Sequence, residues 1–372
     1  MNEARDIVGI SVPFAAGVAT GAALYPLLSG RLPYIISSIL LILIFITTIL
    51  ARLDKFSGRW LVIAGIFLIT GIFSSLSHSI ASGIPEYESG FISSVAADAV
   101  GTLRSVIDNI PYPSESTAPL VKALLTGDKS DLTKEITGIF RDSGASHILA
   151  LSGLHLGVLY ILLARLTAPL GNSPWIRKLR YSLIIGAALF YSIMTGATPS
   201  IIRAFLFITI NETAKLLGRK REPVRVLLAA LTIQLAIRPD VITSVAFQLS
   251  YMAMAGIFLI FPTLDRIYPA PSGSKLSRFN PLRKIWSAAT LSISCQIFTG
   301  PVAWHYFHTF PKYFILTNLI ALPLTSAIMV LSVATIALSF FGICPEPLVI
   351  LNDHAMQALI FCLEIISGID ES

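Results

Sequence analysis

The sequence predicts an all-α fold: a polytopic integral membrane helix bundle of about 10–12 spans, with a collar of amphipathic helices on its outer side. Three observations carry this. First, 54% of the 372 residues are hydrophobic and only 13% are charged, about half the charged share of an ordinary soluble domain. Second, apolar runs long enough to cross a bilayer recur along the chain. Third, the basic residues gather in loops that fall on one side once the spans are counted.

Residues 1–80 read as N-terminal membrane helices. The run at 7–28 is rich in small residues (Ala15, Ala16, Gly17, Ala19, Gly21, Ala22), which let helices approach closely. Only Arg5 precedes it, and further runs follow directly, so no cleavable secretory signal is expected. The run at 33–50 is nearly pure Ile and Leu and is expected to face lipid. The run at 60–80 opens on Trp60, placed as an interfacial anchor.

Residues 81–146 are more polar and form the expected collar. Apolar side chains from Ile92 to Ile110 recur at helical spacing, with Asp98, Arg104 and Asp108 on other faces. Such a helix is amphipathic and too polar to span. Pro111 and Pro113 break it. Two shorter helices follow at 118–125 and 132–141, the second started by Ser130 or Asp131. Gly127, Asp128 and Lys129 make the turn between them. The block reads as lying on the surface and feeding the next span.

Residues 147–372 hold the remaining spans, the first of which starts at 146: 146–166, 181–194, 199–217, 224–237, 241–261, 285–304 and 347–366. The links at 195–200 and 238–240 are short, so their flanking helices are antiparallel neighbours. The run at 312–341 is too long for one straight span and is interrupted at Pro323. It reads as one kinked helix or as two half-helices. Basic clusters at Arg52/Lys55/Arg59, Arg177/Lys178/Arg180, Lys215/Arg219/Lys220/Arg221/Arg225 and Arg266/Lys275/Arg278/Arg283/Lys284 share one side, assigned to the cytoplasm. The net charge of +6 is accounted for by these loops rather than by a ligand site.

The stretch 141–166 carries polar groups into an apolar run: His147, Ser152 and His155. Polar side chains without partners cost several kcal/mol in hydrocarbon. His147 and His155 are eight apart, near one helix face; Ser152 and His155 are three apart and adjacent. Three readings stand: lining of a polar path, helix packing with His155 bonded to a neighbour, or a Ser-His hydrolase dyad. No Gly-x-Ser-x-Gly elbow and no well-placed acid support the last. Arg203, one turn into its helix, either snorkels to the interface or takes an anion or carbonyl partner. Gln248 serves either an interhelical hydrogen bond or a polar lining.

His305 and His308 lack a third ligand nearby and read as an interfacial aromatic belt. Cys295, Cys344 and Cys362 offer neither a disulfide framework nor a metal spacing, and are expected to be buried free thiols. No P-loop occurs. No metal, no cofactor and no enzymatic activity are expected.

Residues 144–155, GASHILALSGLH, closely resemble the signature of the ComEC family of DNA-uptake competence proteins. Leu125 to Asp128 (LTGD) is similar to that family's turn motif. Pro199-Ser200 with Arg203-Ala204 is similar to its PSxxRA element. Phe247-Gln248-Leu249-Ser250-Tyr251, Gly300-Pro301 and Thr317-Asn318-Leu319 follow in matching order, over about residues 118–323.

The resemblance implies a multi-pass protein of the cell inner (cytoplasmic) membrane that forms the channel importing single-stranded DNA during natural transformation. It implies that His147, Ser152, His155, Arg203 and Gln248 line or shape the channel, while Gly127 and Asp128 hold the collar turn. Arg203, Arg104, Lys122, Lys129, Lys134 and Arg141 would form its basic mouth, although acidic collar residues offset them. Members of the family often add an OB-fold and a metallo-β-lactamase-like nuclease. The segment between 80 and 90 is too short for the first, and Ser372 follows directly on the last span. The expected partners are therefore single-stranded DNA, membrane lipid and separate competence proteins supplying DNA binding, nuclease or ATPase functions. An intramembrane hydrolase and a small-anion secondary transporter are the alternatives.

Overall fold

A computed structural model of the chain describes residues 2–52, 59–81, 90–220, 222–268, 280–308 and 312–369. The predicted loops at 82–89 and 269–279, with Lys55, Arg221, Lys275 and Arg278 of the basic clusters, lie outside the described residues. The described residues form α-helices joined by turns and short 3-10 segments, with no strand among them. In order these are α1 (Asn2–Leu24), α2 (Leu32–Arg52), α3 (Arg59–Ala81), α4 (Gly90–Asp108), α5 (Thr117–Thr126), α6 (Lys134–Asp142), α7 (Gly153–Thr167) and α8 (Pro174–Met194). Then come α9 (Pro199–Leu216), α10 (Pro223–Ile237), α11 (Val245–Leu259), α12 (Phe261–Asp265), α13 (Pro281–Phe307), α14 (Phe314–Phe340) and α15 (Glu346–Gly368).

Several helices start on proline, which lacks the N–H that a first turn leaves unbonded. Ser173 caps α8 through Ile176 N–H, and Asn280 caps α13 through Leu282 and Arg283 N–H. Pro323 sits inside an uninterrupted α14. The 312–341 run is therefore one helix and not two half-helices.

The protein is an all-α, multi-pass membrane protein. Six described segments are long and apolar enough to cross a bilayer: Asp6–Leu27, Trp60–Ala81, Gly153–Leu170, Val245–Asp265, Phe314–Phe340 and Glu346–Gly368. The other expected spans are shorter or more polar than these. Among the remaining expected spans, α8 holds Arg177, Lys178 and Arg180, and α9 holds Arg203, Glu212 and Lys215. Helix α10 has only 15 residues, and α13 interleaves Ser, Thr and Gln with its apolar side chains.

The chain divides into two compact units. One comprises Met1–Glu88 with Thr209–Tyr251, the other Ser89–Ile208 with Met252–Ser372. In the first, α1 and α3 touch backbone to backbone. A Cβ on Gly17 would fall 2.0 Å from Leu68 O, and one on Gly71 would fall 2.3 Å from Phe14 O. Only glycine permits such an approach. Helix α10 joins α1 through Thr232 Oγ1 donating to Ser11 Oγ at 2.8 Å. The α2 side chains Ile35, Ile39, Ile42 and Phe45 are exposed, as a lipid-facing run requires.

In the second unit the middle helix of the collar, α5, is not a surface helix. Most of α5 is buried, and Leu120, Val121, Leu124 and Leu125 share a core with Ile328 and Met329 of α14 and Met356 and Leu359 of α15. At one end of this block Tyr112 lies against Asn352, which also bonds Ser332 of α14. At the other, Thr317 Oγ1 of α14 donates to Ser143 O at 2.7 Å. Fifteen residues of α14 separate Thr317 from Ser332, a rise of about 22 Å. The block thus stands along the α14/α15 pair. Lys122 gave α5 its polar look, but its ammonium reaches the edge, where Asp108 and Asp131 hold it at 2.6 and 2.8 Å.

Candidate functional site

Helix α5 ends on Gly127, whose φ of 77° is left-handed and whose N–H donates to Ala123 O at 3.0 Å. A Cβ here would lie 2.5 Å from Leu151 Cδ1. The LTGD turn therefore seats directly on the segment that precedes α7. Tyr191 of α8 donates its hydroxyl to Leu125 O at 2.9 Å. Asp128 accepts from Ser130 N–H at 3.0 Å and pairs with Arg104 at 2.9 Å. The Ser130 N–H above all, with Arg104 assisting, holds its carboxyl below the usual range.

Residues 144–152 form a turn, opened by Gly144 at φ 77°. The expectation of a helix from 146 is corrected here: α7 begins at Gly153. His147 is consequently not on a helix face with His155. Its Nδ1 lies 3.1 Å from Gly144 O, and its ring adjoins Asn318 of α14. Gly and the competing side-chain bonds of Ser explain why helix geometry waits until 153.

Ser152 and His155 build the N-terminus of α7 as a capping box. The Ser152 hydroxyl accepts from Leu154 N–H at 3.2 Å, and His155 Nδ1 accepts from Ser152 N–H at 3.2 Å. Histidine stands where Glu or Gln usually does. The Ser152 Oγ to His155 Nδ1 distance is 3.1 Å, a contact that the cap itself accounts for. With Nδ1 accepting, the ring proton is assigned to Nε2. That atom is buried and has no hydrogen-bond partner among the described residues.

Gly153 faces α9. A Cβ on it would lie 3.0 Å from Arg203 Nη2 and 3.3 Å from Ala204 Cβ. Arg203 is buried, and its charge also acts on Cys295 of α13. It is thus packed against the first turn of α7 rather than extended to an interface. Four of the motif elements singled out in the sequence therefore meet in this unit: Gly127 on Leu151, Gly153 on Arg203, Ser143 on Thr317 and His147 beside Asn318.

Gln248 belongs to the other unit. Its Nε2 donates to Ile242 O at 2.9 Å, a bond within its own turn rather than between helices. The interhelical bond nearby is made by Tyr251, which donates to Gln234 Oε1 at 3.0 Å.

Three of the six residues expected to form a basic mouth are paired with acids within the protein. Arg104 pairs with Asp128, Lys122 with Asp108 and Asp131, and Arg141 with Asp142. A groove of about 590 Å³ runs along α13 and α14, lined by Ile293, Gln296, Ile297, Pro301, Trp304 and Phe314. It is apolar, and neither His155 nor Arg203 lines it. Trp304 stands edge-on to His308 and His305 edge-on to Tyr306. Among the described residues no group of three His, Cys, Asp or Glu could hold a metal. The cysteines are free, with Cys344 exposed rather than buried.

One polar cluster escaped the sequence reading. Asp353 of α15 is 4% exposed. It accepts from Ser114 N–H at 3.2 Å, from Ser114 Oγ at 2.8 Å and from Thr117 Oγ1. Gln357 Nε2 donates to Ser116 Oγ at 2.9 Å. Burial pushes the Tyr112 phenol up to about 12, against the pull of its Asn352 bond. The signal was available: Asn352, Asp353, His354 and Gln357 interrupt an apolar run, with Asp353 and Gln357 one turn apart.

The sequence profile of the Competence protein family matches residues 124–372. Uncharacterized protein YcaI of Escherichia coli K12 is 27% identical over 281 residues, covering 73% of this chain and 35% of that protein. ComE operon protein 3 of Bacillus subtilis 168 is 24% identical over 215 residues, covering 58% of this chain and 25% of that protein. Recombination protein 2 of Haemophilus influenzae Rd is 25% identical over 218 residues, covering 57% and 27%. The chain thus spans about a quarter to a third of the length of these relatives. No solved structure matches.

Proposed function

This chain belongs to the Competence protein family, and from that premise we propose that its helices form the membrane path by which single-stranded DNA is imported during natural transformation. The cytoplasmic (inner) membrane is the site of this import. The observation that carries the reading is the packing of the SGLH element on the PSxxRA element, Gly153 against the buried guanidinium of Arg203, at the first turn of α7. A cation held there is placed to attract phosphates. His155 Nε2 supplies a second buried donor on the same helix end. The names of two relatives, a ComE operon protein and a recombination protein, support a place in competence. Separate competence proteins supply DNA binding, cleavage and ATP hydrolysis.

The proposal treats Ser152 and His155 as non-catalytic. Their contact caps a helix, and a serine-directed probe should leave Ser152 unlabelled. The central test is uptake of labelled DNA by cells whose only copy of this protein carries Arg203→Ala or His155→Ala. Uptake should fall at least tenfold with normal protein levels in the membrane. Unchanged uptake in both variants overturns the conduit.

A further inference from the structure

Helix α15 is long and apolar enough to cross a bilayer. It begins at Glu346, and His354 follows after a rise of about 12 Å. The 23 residues of α15 span about 34 Å, against a hydrocarbon core of about 30 Å, so His354 stands inside that core. Its polar neighbours turn inward and are bonded, Asn352 to Ser332, Asp353 to Ser114 and Thr117, and Gln357 to Ser116. His354 points the other way. It is exposed, and it makes no hydrogen bond or ion pair among the described residues. Ionisable side chains of spanning helices almost always face protein or a water-filled cavity. This face of α15 is therefore not left to acyl chains, and its cover must offer a hydrogen bond at the depth of His354.

The exposed positions of α15 give the shape of that cover. Pro347, Leu351, His354, Ala358, Phe361 and Ile365 are exposed and follow one another at alternating steps of four and three. The opposite face, with Met356, Leu359 and Leu363, is buried in the core shared with α5 and α14. Steps of four and three make a heptad seam, on which two membrane helices pack side by side with a left-handed crossing of about 20°. Ala358, one turn beyond His354, lets the two backbones approach.

We propose that this seam joins two copies of the chain, α15 against α15, about a two-fold axis along the membrane normal. The chemistry of the seam selects the partner. Two copies inserted the same way hold like residues at the same depth, and a two-fold axis on the seam sets each against itself. A neutral imidazole has one N–H donor and one bare nitrogen that accepts, so His354 of one copy donates to His354 of the other. Leu351 on one side of that bond and Phe361 on the other, each meeting its own copy, close it off from water. No Asp, Glu, Lys or Arg occupies the seam, where it would face its own like charge.

The proposal does not depend on what crosses the membrane, and its test uses no DNA. The full chain, with its three cysteines changed to alanine, is reconstituted in liposomes and given single cysteines. Under mild oxidation Leu351→Cys, Ala358→Cys and Ile365→Cys should form disulfide-linked dimers at least fivefold faster than Ile42→Cys on the exposed run of α2. Energy transfer between separately labelled copies, at a fixed protein-to-lipid ratio, gives the second reading. His354→Leu should lower the dimer fraction about fivefold or more, the effect of losing one interhelical hydrogen bond in model membrane helices. His354→Asn, which keeps a donor and an acceptor, should hold it within about twofold. The altered side chains are exposed, and an unchanged melting temperature checks that the fold persists. Monomers at every protein-to-lipid ratio, seam cysteines no faster than Ile42→Cys, a dimer indifferent to His354→Leu, or cross-linking in cells to a different protein instead of a second copy each overturns the proposal.

Discussion

Gly153 and Arg203 stand so close that a methyl on the glycine would reach within 3.0 Å of a guanidinium nitrogen. The side-chain tip can yield, but Ala204 Cβ, at 3.3 Å from the same position, is fixed to α9. Gly153→Ala should therefore cost about 1 kcal/mol by overpacking, read as a lower melting temperature in detergent. Adding Ala204→Gly should recover most of it. No recovery would mean that the two helices do not meet at this point.

Gly127→Ala should be the more damaging change. The position has φ 77° and a Cβ would lie 2.5 Å from Leu151 Cδ1. Backbone strain and overpacking together predict a loss of about 2–4 kcal/mol. Leu151→Ala in the same chain should relieve the clash and leave the strain, so rescue should be partial. Thermal unfolding of the single and double variants measures both parts.

The capping box separates structure from function at His155. Gln is a usual residue at that position of the box, so His155→Gln should keep stability near that of the unaltered chain. His155→Ala and Ser152→Ala should each lose about 0.5–2 kcal/mol. If the imidazole serves uptake, His155→Gln should remain stable and still fail to import DNA. A stable and fully active His155→Gln would assign the residue to the cap alone.

The ion pairs of the α4–α6 block set a pH dependence of known sign. Asp128 and Asp131 are held below the usual carboxylate range, by Ser130 and by Lys122 respectively. Their contribution is present above the unfolded value and lost as pH falls through the lowered folded one. Lys122 is raised by Asp108 and Asp131. Its contribution is present below the unfolded lysine value and lost as pH rises through the raised one. Melting temperature should hold a plateau between these limits, and Asp128→Asn with Asp131→Asn should flatten its acid limb.

Much of this was legible in the sequence, because it follows from periodicity and small residues. Gly17 and its neighbours in α1 pointed to a close helix approach, which α3 makes, whereas α8 and α13 start at Pro174 and Pro281, ahead of the 181 and 285 read from the apolar runs, because basic residues fill their first turns. The start of α7 was misplaced because an apolar run says nothing about where the backbone turns, and Ser152 was read as lining before it was read as a cap. Helix α5 belongs to a block read as surface-lying from its polar composition; its burial against α14 and α15, and the reach of Lys122 to Asp108 and Asp131, are tertiary facts. Asp353 is hidden in another way: it stands with Asn352 and His354 inside an apolar span, and its donors come from a distant part of the chain.

The bond from Ser114 to Asp353 spans 239 residues, and that distance is also a delay. At about 5–20 residues per second, translation would take on the order of 10–50 s to deliver the partner after the turn has emerged. Throughout that interval Ser114, Thr117 and the apolar face of α5 must wait without α14 or α15 to cover them. This block is therefore among the first parts made and the last completed, and a ribosome that stalls before α15 leaves it open to the cell's insertases and proteases.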